Sequence, residues 1–421
     1  MSKPNITLNA EQESAIDNIT KFLTAPYVAD PFYVLSGPAG TGKTTCLREI
    51  AAKYSATRGK LAFTAPTNKA AKVIRGLTGE ACTIYSLLGL RIKANGEMKE
   101  LAPSEREVDL SQFDGVAIDE AGMVSTVLFN ILRQTAVSTG MRFVLMGDKY
   151  QLPPVGEKES QIWRLPQRAE LTKVVRHDNQ ILKLVTNIRN AMDQPIMNID
   201  IRSDNDGREG VWKINKMDFK KKIFEDAEAG KFADTNSTKI IAWRNAKTAE
   251  YNALVRRAIF GPGAAYYEIG ERVIAASPCV VGSEVVLATD EEAFVEAIAE
   301  SRHPMSPEFR CIELKVRTED DRVVRLTVLH PDSFQVYDNA CQSAAHAAKS
   351  DGKKWKNFWR LKELFHDVKY AYAITAHRAQ GSTYENVYVD YQDILMNRER
   401  REAFQCLYVA CSRPTTKLIL A

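Results

Sequence analysis

The sequence predicts an α/β fold in which two domains each contain a parallel β-sheet. From residue 32 onward, short apolar runs alternate with helix-like segments, which is the pattern of repeated βαβ units. A glycine-rich loop at residues 37–44 joins the first of these strands to the first of these helices. The chain has 421 residues, more than a single hydrophobic core usually holds, so we expect two to four domains.

The first domain is indicated by apolar runs at 32–35, 61–64, 116–118 and 142–146, which we interpret as buried parallel strands, and by a helix pattern at 44–54. In parallel sheets covered by helices, ligands bind at the carboxyl ends of the strands. We therefore expect the functional residues in the segments that follow these strands.

Two segments interrupt the βαβ pattern. Residues 91–110 are polar and include an Asn-Gly turn, which predicts a hairpin or loop inserted in the first domain. Residues 261–366 carry short alternating runs that predict a β-rich insertion, and a strand at 370–375 returns to the parallel pattern. The predicted boundaries are a first domain at 1–168 with its insertion at 91–110, a second domain at 169–260 and 369–421, and an accessory domain at 261–368.

Composition is that of a soluble globular protein, with 45% hydrophobic and 26% charged residues. No apolar run approaches the ~18 residues that span a bilayer, so we expect a cytoplasmic protein without membrane contact. Seven scattered cysteines without a CxxC pair predict reduced thiols and no structural zinc. The net charge of +4 is compatible with nucleic-acid binding but does not require it.

Residues 37–44, GPAGTGKT, match the phosphate-binding pattern GxxxxGK[ST] in full. Glycines let backbone N–H groups surround phosphate oxygens, and the helix N-terminus adds a favourable field. We expect Lys43 to bridge the β- and γ-phosphates and Thr44 to offer its hydroxyl to Mg²⁺. The alternative is a glycine-rich turn without function. The predicted nucleotide ligands in this loop are Gly37, Gly40, Thr41, Gly42, Lys43, Thr44 and Thr45.

An acidic pair and a glutamine follow the next two strands of the predicted sheet. Asp119 would complete the Mg²⁺ shell, and Glu120 would orient and deprotonate the attacking water. Gln151, in GDKYQLPPV, could hydrogen-bond both that water and the γ-phosphate. The alternatives are solvated acids and a turn with a surface glutamine. Together with the loop, these residues predict hydrolysis of ATP with Mg²⁺.

Seven segments in this order resemble helicase superfamily 1, specifically its RecD/Dda-like 5′-to-3′ branch, over nearly the whole chain. The resemblance implies two RecA-like domains, a strand-separating pin within 91–110 and an SH3-like accessory domain at 261–368. The matching segments are LNAEQ at 8–12, TAPTNKAAKVI at 64–74, TIYSLLG at 83–89, GDKYQLPPV at 147–155, LTKVVR at 171–176, TAHRAQGST at 375–383 and LYVACSR at 407–413.

The resemblance also implies roles for individual residues. Gln12 would recognise adenine, Arg176 and Arg413 would act as arginine fingers, and Gln380 and Gly381 would contribute to the ATP site. An isolated arginine is by default a surface residue, and that alternative stays open for both fingers. Single-stranded DNA would cross both sheets at Pro66, Thr67, Asn68, Thr83, Tyr85 and His377.

Several positions keep a structural alternative or depart from the family pattern. Tyr85 could be a half-buried packing residue, and His377 could be a satisfied core histidine. Asn68 and Tyr85 stand where relatives often carry histidine, Gly122 where serine is common and Arg378 where lysine is common. These departures affect the DNA contacts more than ATP hydrolysis.

The predicted pin lacks the aromatic that relatives often use, so we expect Met98 or Leu101 to abut the first base pair; a solvated loop is the alternative. Trp355, Phe358 and Trp359 share one helix face, which favours packing over a brace against the pin.

The resemblance implies an ATP-dependent DNA helicase that moves 5′-to-3′ and acts as a monomer. Its expected partners are single-stranded and fork DNA, with replication or single-strand-binding proteins as further candidates. The alternatives are a translocase that does not separate duplex, a P-loop kinase and a nucleotide-gated binding module.

Overall fold

The computed structural model describes residues 7–56, 59–95, 98–103, 108–174, 179–282 and 284–421. Within 92–103 it describes the side chains of Leu101 and Ala102 alone. No helix in these ranges is long and apolar enough to cross a membrane.

The first part of the chain forms a six-stranded parallel sheet in the order β3-β2-β6-β7-β1-β8, where β4 and β5 form a separate antiparallel hairpin. The apolar runs become its central strands because both faces are covered by helices. The strands are β1 (Phe32–Ser36), β2 (Leu61–Ala65), β3 (Cys82–Thr83), β4 (Leu90–Asn95), β5 (Met98–Pro103), β6 (Gly115–Ile118), β7 (Arg142–Gly147) and β8 (Arg168–Glu170).

Helices cover both faces of this sheet, and several of them begin at a side chain that caps the first turn. Asn9 caps the first helix and exchanges hydrogen bonds with Gln12 in a capping box, and Thr67 and Thr83 cap two later helices. The helices are α1 (Ala10–Thr24), α2 (Lys43–Ala56), α3 (Asn68–Thr78), α4 (Ile84–Leu87) and α5 (Thr126–Thr139). The predicted strands and the predicted helix after the glycine-rich loop are confirmed to within two residues.

The chain then enters a second α/β unit. Its first strands are β9 (Asp204–Asn205), β10 (Gly210–Lys213) and β11 (Thr238–Ala242), and its first helices are α6 (Gln180–Met192), α7 (Lys216–Glu228) and α8 (Asn245–Phe260).

An antiparallel sheet is inserted before this unit is completed, in the order β17-β16-β15-β12-β18. The predicted β-rich character is confirmed, but the sequence missed a long hairpin and a long helix. The elements are β12 (Arg272–Ala275), β13 (Cys279–Val281), β14 (Glu284–Leu287), β15 (Glu292–His303), β16 (Ser306–Thr318), β17 (Val323–Leu329), α9 (Phe334–Ser350), α10 (Trp355–Lys362) and β18 (Val368–Tyr370).

The second sheet is completed by the end of the chain, in the order β19-β11-β20-β21-β10-β9, and all pairs except β9 with β10 are parallel. The predicted single strand at 370–375 is wrong: the chain changes sheets at Ala371, whose N–H donates to the Arg272 carbonyl. The elements are β19 (Ala373–Thr375), α11 (Ala376–Ala379), β20 (Tyr384–Val389), α12 (Tyr391–Leu395), α13 (Arg400–Cys411) and β21 (Pro414–Leu420).

The aromatic face of α10 packs on itself and on α9. Phe358 lies edge-on to Trp355 and Trp359, with ring centroids 5.3 and 5.0 Å apart, and all three rings are half-buried. The Tyr337 hydroxyl of α9 donates to the Leu361 carbonyl at 3.0 Å. These contacts explain the three aromatic residues of α10 as packing residues within the accessory domain.

Candidate phosphate-binding cleft

The glycine-rich loop leads from β1 into α2, and its backbone is shaped by glycine. Gly40 and Gly42 have φ of 84° and 82°, a region that residues with a Cβ rarely enter. A Cβ on Gly42 would lie 2.4 Å from Nε2 of Gln12. The Lys43 ammonium donates to the carbonyls of Gly37 and Pro38 at 2.6 and 3.1 Å. The loop therefore has the glycine-dependent backbone of the phosphate-binding pattern, with the Lys43 ammonium held against its own carbonyls.

The side chain of Gln12 is hydrogen-bonded to the glycine-rich loop. Its Nε2 donates to the Thr41 carbonyl at 3.0 Å, and its Oε1 accepts from the backbone N–H of Asn9 at 3.0 Å. The structure thus gives Gln12 a positioning contact that sequence reasoning did not foresee. Its role toward adenine stays a prediction.

The acidic pair stands at the end of β6, beside the loop. Glu120 adopts a left-handed conformation with φ of 52°, a strained state for a residue with a side chain. Burial and the neighbouring Asp119 together raise the pKa of Glu120 to about 7, against the opposing effects of Arg413 and Lys43. Burial also raises the pKa of Asp119, which Lys43 opposes. Asp119 therefore lies in the field of the loop lysine, and Glu120 lies in the field of both this lysine and Arg413 of the second α/β unit.

Gln151 lies at the junction between the two sheets. Its side chain is 7% exposed, and its Oε1 has no hydrogen-bond partner. A buried polar atom without a partner carries a cost of about 1–3 kcal/mol unless something else satisfies it. Its backbone carbonyl accepts from Nε2 of Gln405 at 3.0 Å, and the Leu152 carbonyl accepts from Nε2 of Gln380 at 3.4 Å.

Tyr408 joins the two units more directly, and sequence reasoning missed it. Its buried hydroxyl donates to Oδ2 of Asp148 at 2.6 Å and accepts from the backbone N–H of Ala39 at 3.2 Å. Burial raises the pKa of Tyr408 well above its ordinary value, which keeps the hydroxyl a donor. One side chain on α13 therefore contacts both the glycine-rich loop and the segment after β7. Its position in LYVACSR was the available signal.

Arg413 follows α13 and is 6% exposed. Its guanidinium donates to the carbonyls of Val409 and Ser382 at 2.9 and 3.1 Å, and to Oγ of Ser412 at 2.7 Å. It is close enough to Glu120 to lower the pKa of that carboxyl. The other predicted finger, Arg176, lies outside the described residues.

Residues predicted to contact DNA lie on both units. Thr67 and Thr83 use their hydroxyls to cap α3 and α4, and Asn68 is exposed beside Thr67. Tyr85 is half-buried against the hydrophobic core on one face of the first sheet, so the packing alternative has support. Pro66 is half-buried at the end of β2.

His377 is exposed on α11, with Nε2 3.4 Å from Oε1 of Glu402. Cys406 lies beside both, and the three ligand atoms are within 4.8 Å of one another. Burial raises the pKa of Cys406 to about 12, which disfavours the thiolate that a metal needs, and we assign no metal here.

Gly381 brings the two predicted DNA segments together. It has φ of 74°, and a Cβ there would lie 3.4 Å from Cβ of Ala70 and 3.5 Å from Oγ1 of Thr67. The segment after α11 therefore abuts the first turn of α3. Gln380 and Gly381 lie at this junction, and their role in ATP binding stays a prediction.

Two RecA-like α/β domains with a phosphate-binding loop, an acidic pair and a buried arginine across one cleft define a P-loop ATPase. The family model described as "AAA domain" matches residues 7–206, and the one described as "UvrD-like helicase C-terminal domain" matches residues 370–421. The chain is a member of helicase superfamily 1.

Similar proteins cover most of the chain. The ATP-dependent DNA helicase dda of Enterobacteria phage T4 is 24% identical over 419 residues, covering 90% of this chain and 92% of that protein. The ATP-dependent DNA helicase RRM3 of Saccharomyces cerevisiae is 32% identical over 209 residues, 44% of this chain and 28% of that protein. A Bacteroides Pif1 helicase crystallised with ADP-AlF3 and ssDNA shares the fold, with TM-score 0.54 and 16% identity over 99% of this chain and 92% of that one.

The hydroxyl of Tyr408 should matter for turnover. Tyr408→Phe leaves Oδ2 of Asp148 and the N–H of Ala39 without this partner, and we expect kcat for ATP hydrolysis to fall about tenfold, equivalent to 1.4 kcal/mol, with the KM for ATP nearly unchanged. Steady-state kinetics measure both values.

The matched control is Tyr388→Phe. Tyr388 is also fully buried in the second domain, and its hydroxyl donates to Oδ2 of Asp226 at 2.5 Å, away from the cleft. The Tyr388→Phe variant should have a lower free energy of unfolding but an unchanged kcat for ATP hydrolysis. Equal kinetic losses in both variants would show that Tyr408 has a structural role only.

Proposed function

We propose that this protein is an ATP-dependent DNA helicase that moves 5′-to-3′ on single-stranded DNA and separates duplex. The observation that carries the proposal is the convergence of Lys43, Glu120 and Arg413 on one cleft between two RecA-like domains. Similarity to proteins named ATP-dependent DNA helicases supports it. The direction of movement rests on the resemblance to the RecD/Dda-like branch.

Each group of residues in the cleft would have a different role in ATP hydrolysis. The loop residues 37–45 would hold the phosphates, and Thr44 and Asp119 would hold Mg²⁺, which neutralises phosphate charge. The residues fit ATP with Mg²⁺ because the acidic pair lies in the field of the loop lysine, Lys43. In addition, the buried Oε1 of Gln151 has no partner and can accept a hydrogen bond from the attacking water. Glu120 then orients and deprotonates water, and Arg413 stabilises charge in the transition state.

Domain contacts would link hydrolysis to movement. Gln405 and Gln380 of the second domain donate to the segment that carries Gln151, and Tyr408 reaches the loop. Closure of the cleft would therefore move the second domain relative to α3 and its exposed Asn68. DNA would contact Pro66, Thr67, Asn68, Thr83, Tyr85 and His377 along this path.

The remaining assignments are also proposals. We assign 1–168 to the first RecA-like domain, 169–260 and 369–421 to the second, and an SH3-like character to 261–368. A monomer working at DNA forks in replication, recombination or repair fits this design, with replication or single-strand-binding proteins as partners. A cytoplasmic location fits as well.

The direct test is ATP-dependent unwinding of duplexes that carry either a 5′ or a 3′ single-stranded tail. Unwinding of the 5′-tailed duplex alone is expected, with Glu120→Gln as the inactive control. Preference for the 3′ tail would overturn the direction. Translocation on single strands without unwinding of either duplex would favour the alternative, a translocase.

The hairpin formed by β4 and β5 favours strand separation over simple translocation. It pairs in full register from Leu90 with Pro103 to Asn95 with Met98, so it can project as a stiff element. Replacing Met98 and Leu101 together by glycine should reduce unwinding at least tenfold while ATP hydrolysis stimulated by DNA stays intact. Gel-based unwinding and coupled ATPase assays measure the two activities separately. Equal unwinding by the variant would rule out both residues as the separating wedge.

A further inference from the structure

A buried carboxylate connects the accessory domain to both RecA-like domains. Glu292 begins β15 and is 4% exposed. Its carboxylate lies 2.8 Å from Nζ of Lys239 on β11, 2.7 Å from Nη2 of Arg272 on β12 and 3.1 Å from Nζ of Lys69 on α3. These three cations come from three different structural units. Burying a charge costs free energy, and two of the three cations that offset this cost lie outside the accessory sheet, so Glu292 does more than stabilise that sheet.

Two of the partners form a fixed joint between the accessory sheet and the second domain. Lys239 and Arg272 are fully buried, and Lys239 also donates to the Ala371 carbonyl at 2.7 Å. Arg272 donates to three further carbonyls, those of Phe232, Asp234 and Thr235. Burial opposes the charged carboxylate, but the three cations hold the pKa of Glu292 well below its usual range. Burial, together with the neighbouring Arg272, lowers the pKa of Lys239, and Glu292 opposes that shift. The carboxylate therefore has a hydrogen-bond donor from each of these two side chains, and Nε of Arg272 is the atom of this pair that lacks a partner.

The third partner belongs to the first domain and is partly open to solvent. The Lys69 side chain is 21% exposed and follows directly after Asn68. Its ammonium points to Glu292, so this lysine ties the first turn of α3 to the joint. Because Thr67 caps that same turn, the contact also fixes the predicted DNA residues.

A second ion pair joins the accessory domain to the second RecA-like domain, two residues before Glu292. Asp290 sits in a left-handed turn with φ of 61°, and its Oδ1 lies 3.2 Å from Nη1 of Arg378. This contact is an ion pair without a hydrogen bond, whereas Nη2 of Arg378 donates to the Ala276 carbonyl at 2.9 Å. Since Arg378 is next to His377, one accessory turn reaches the DNA segments of both RecA-like domains. These are the segments that meet at Gly381.

We propose that Glu292 is a positioning residue that holds Lys69, and with it the first turn of α3, in register with the second RecA-like domain. The accessory domain thereby aligns the two halves of one single-stranded DNA track. This inference rests on the proposed function, because it concerns how the same DNA segments are held.

The test removes Lys69 and keeps Glu292. Loss of Glu292 would leave Lys239 and Arg272 buried without their anion, which destabilises a fold strongly. In Lys69→Met, the carboxylate keeps both of those partners. The concentration of single-stranded DNA that half-maximally stimulates ATP hydrolysis should rise about tenfold, while the rate at saturating DNA stays within twofold. Lys69→Arg, which keeps the ion pair, should restore the original value.

The matched control is Lys72→Met, one turn further along α3. Lys72 also pairs with the accessory domain, at 2.7 Å from Glu319 and 3.0 Å from Asp320, but its side chain is 47% exposed. Exposed pairs contribute little, so this variant should match the unaltered protein. An equal effect of both variants would show that lysine charge on α3 is sufficient, and would overturn the proposal.

Salt dependence separates positioning from direct phosphate contact. If Lys69 neutralised a phosphate, the slope of log affinity against log salt would fall by about one in Lys69→Met. We expect an unchanged slope, and a reduced slope would overturn the proposal. If DNA stimulates hydrolysis in the unaltered protein, the proposed function stands whatever Lys69→Met shows. Absence of stimulation in the unaltered protein would overturn both.

Discussion

Glu120→Gln is expected to reduce the rate of ATP hydrolysis by about 10²–10⁴-fold, the usual contribution of a general base. Glutamine has the same shape and fits the same backbone, but it cannot accept the proton of the attacking water. Lys43 and the loop glycines remain, so ATP should bind with similar affinity. Single-turnover hydrolysis and equilibrium binding of a fluorescent ATP analogue measure the two quantities.

The matched control is Glu80→Gln, which makes the same chemical change at an exposed position beyond α3. It should leave hydrolysis unchanged. Retention of hydrolysis by Glu120→Gln would remove Glu120 from the catalytic group and leave Asp119 as the candidate. Loss of ATP binding along with hydrolysis would instead mean that Glu120 supports the loop rather than the water.

The phosphate-binding loop could be predicted in detail because its function constrains a short stretch of chain. Positive φ at Gly40 and Gly42 and a strand followed by a helix are local requirements, and each has a sequence signature. The acidic residues after β6 and the segment after β7 follow from the same rule, since parallel strands end at one edge.

The contacts between domains could not be predicted in this way. The Tyr408 hydroxyl and its acceptor Asp148 are 260 residues apart, and nothing local shows that they meet. Nothing in the sequence around Glu292 indicates burial, yet its side chain is nearly fully buried. Such contacts depend on how whole domains pack, which hydrophobic periodicity does not encode.

The accessory domain shows a second kind of limit. Residues 312–317 of β16 alternate apolar and charged side chains, which is a strand signal, and Glu296 of β15 pairs with Lys315 and Arg317 across the hairpin. The alternation of β15 is weaker, because its register with β16 shifts between Val295 and Ala297 and residues 299–302 are all exposed. The buried positions of α9 are the small residues Cys341 and Ala348, so its buried face carries none of the large apolar side chains by which a helix is easily recognised.

Arg413→Lys is expected to lower kcat for DNA-stimulated hydrolysis by about 10³-fold or more, the range found for arginine fingers. Lysine keeps the charge, but it lacks the planar fork that can contact two phosphate oxygens. The substitution also removes hydrogen bonds to Ser382 and Ser412, so some loss of stability will accompany it.

Kinetics and thermal unfolding together separate these two effects. Arg398→Lys, at an exposed position before α13, provides the same chemical change without either contact and should be silent. If Arg413 is an arginine finger, kcat for the Arg413→Lys variant falls while the protein stays folded at the assay temperature and still binds ATP. If Arg413 has a structural role only, the remaining activity follows the fraction of folded protein. Arg413 is buried beside its own helix and still lowers the pKa of Glu120 across the cleft, and this electrostatic effect is what favours the first outcome.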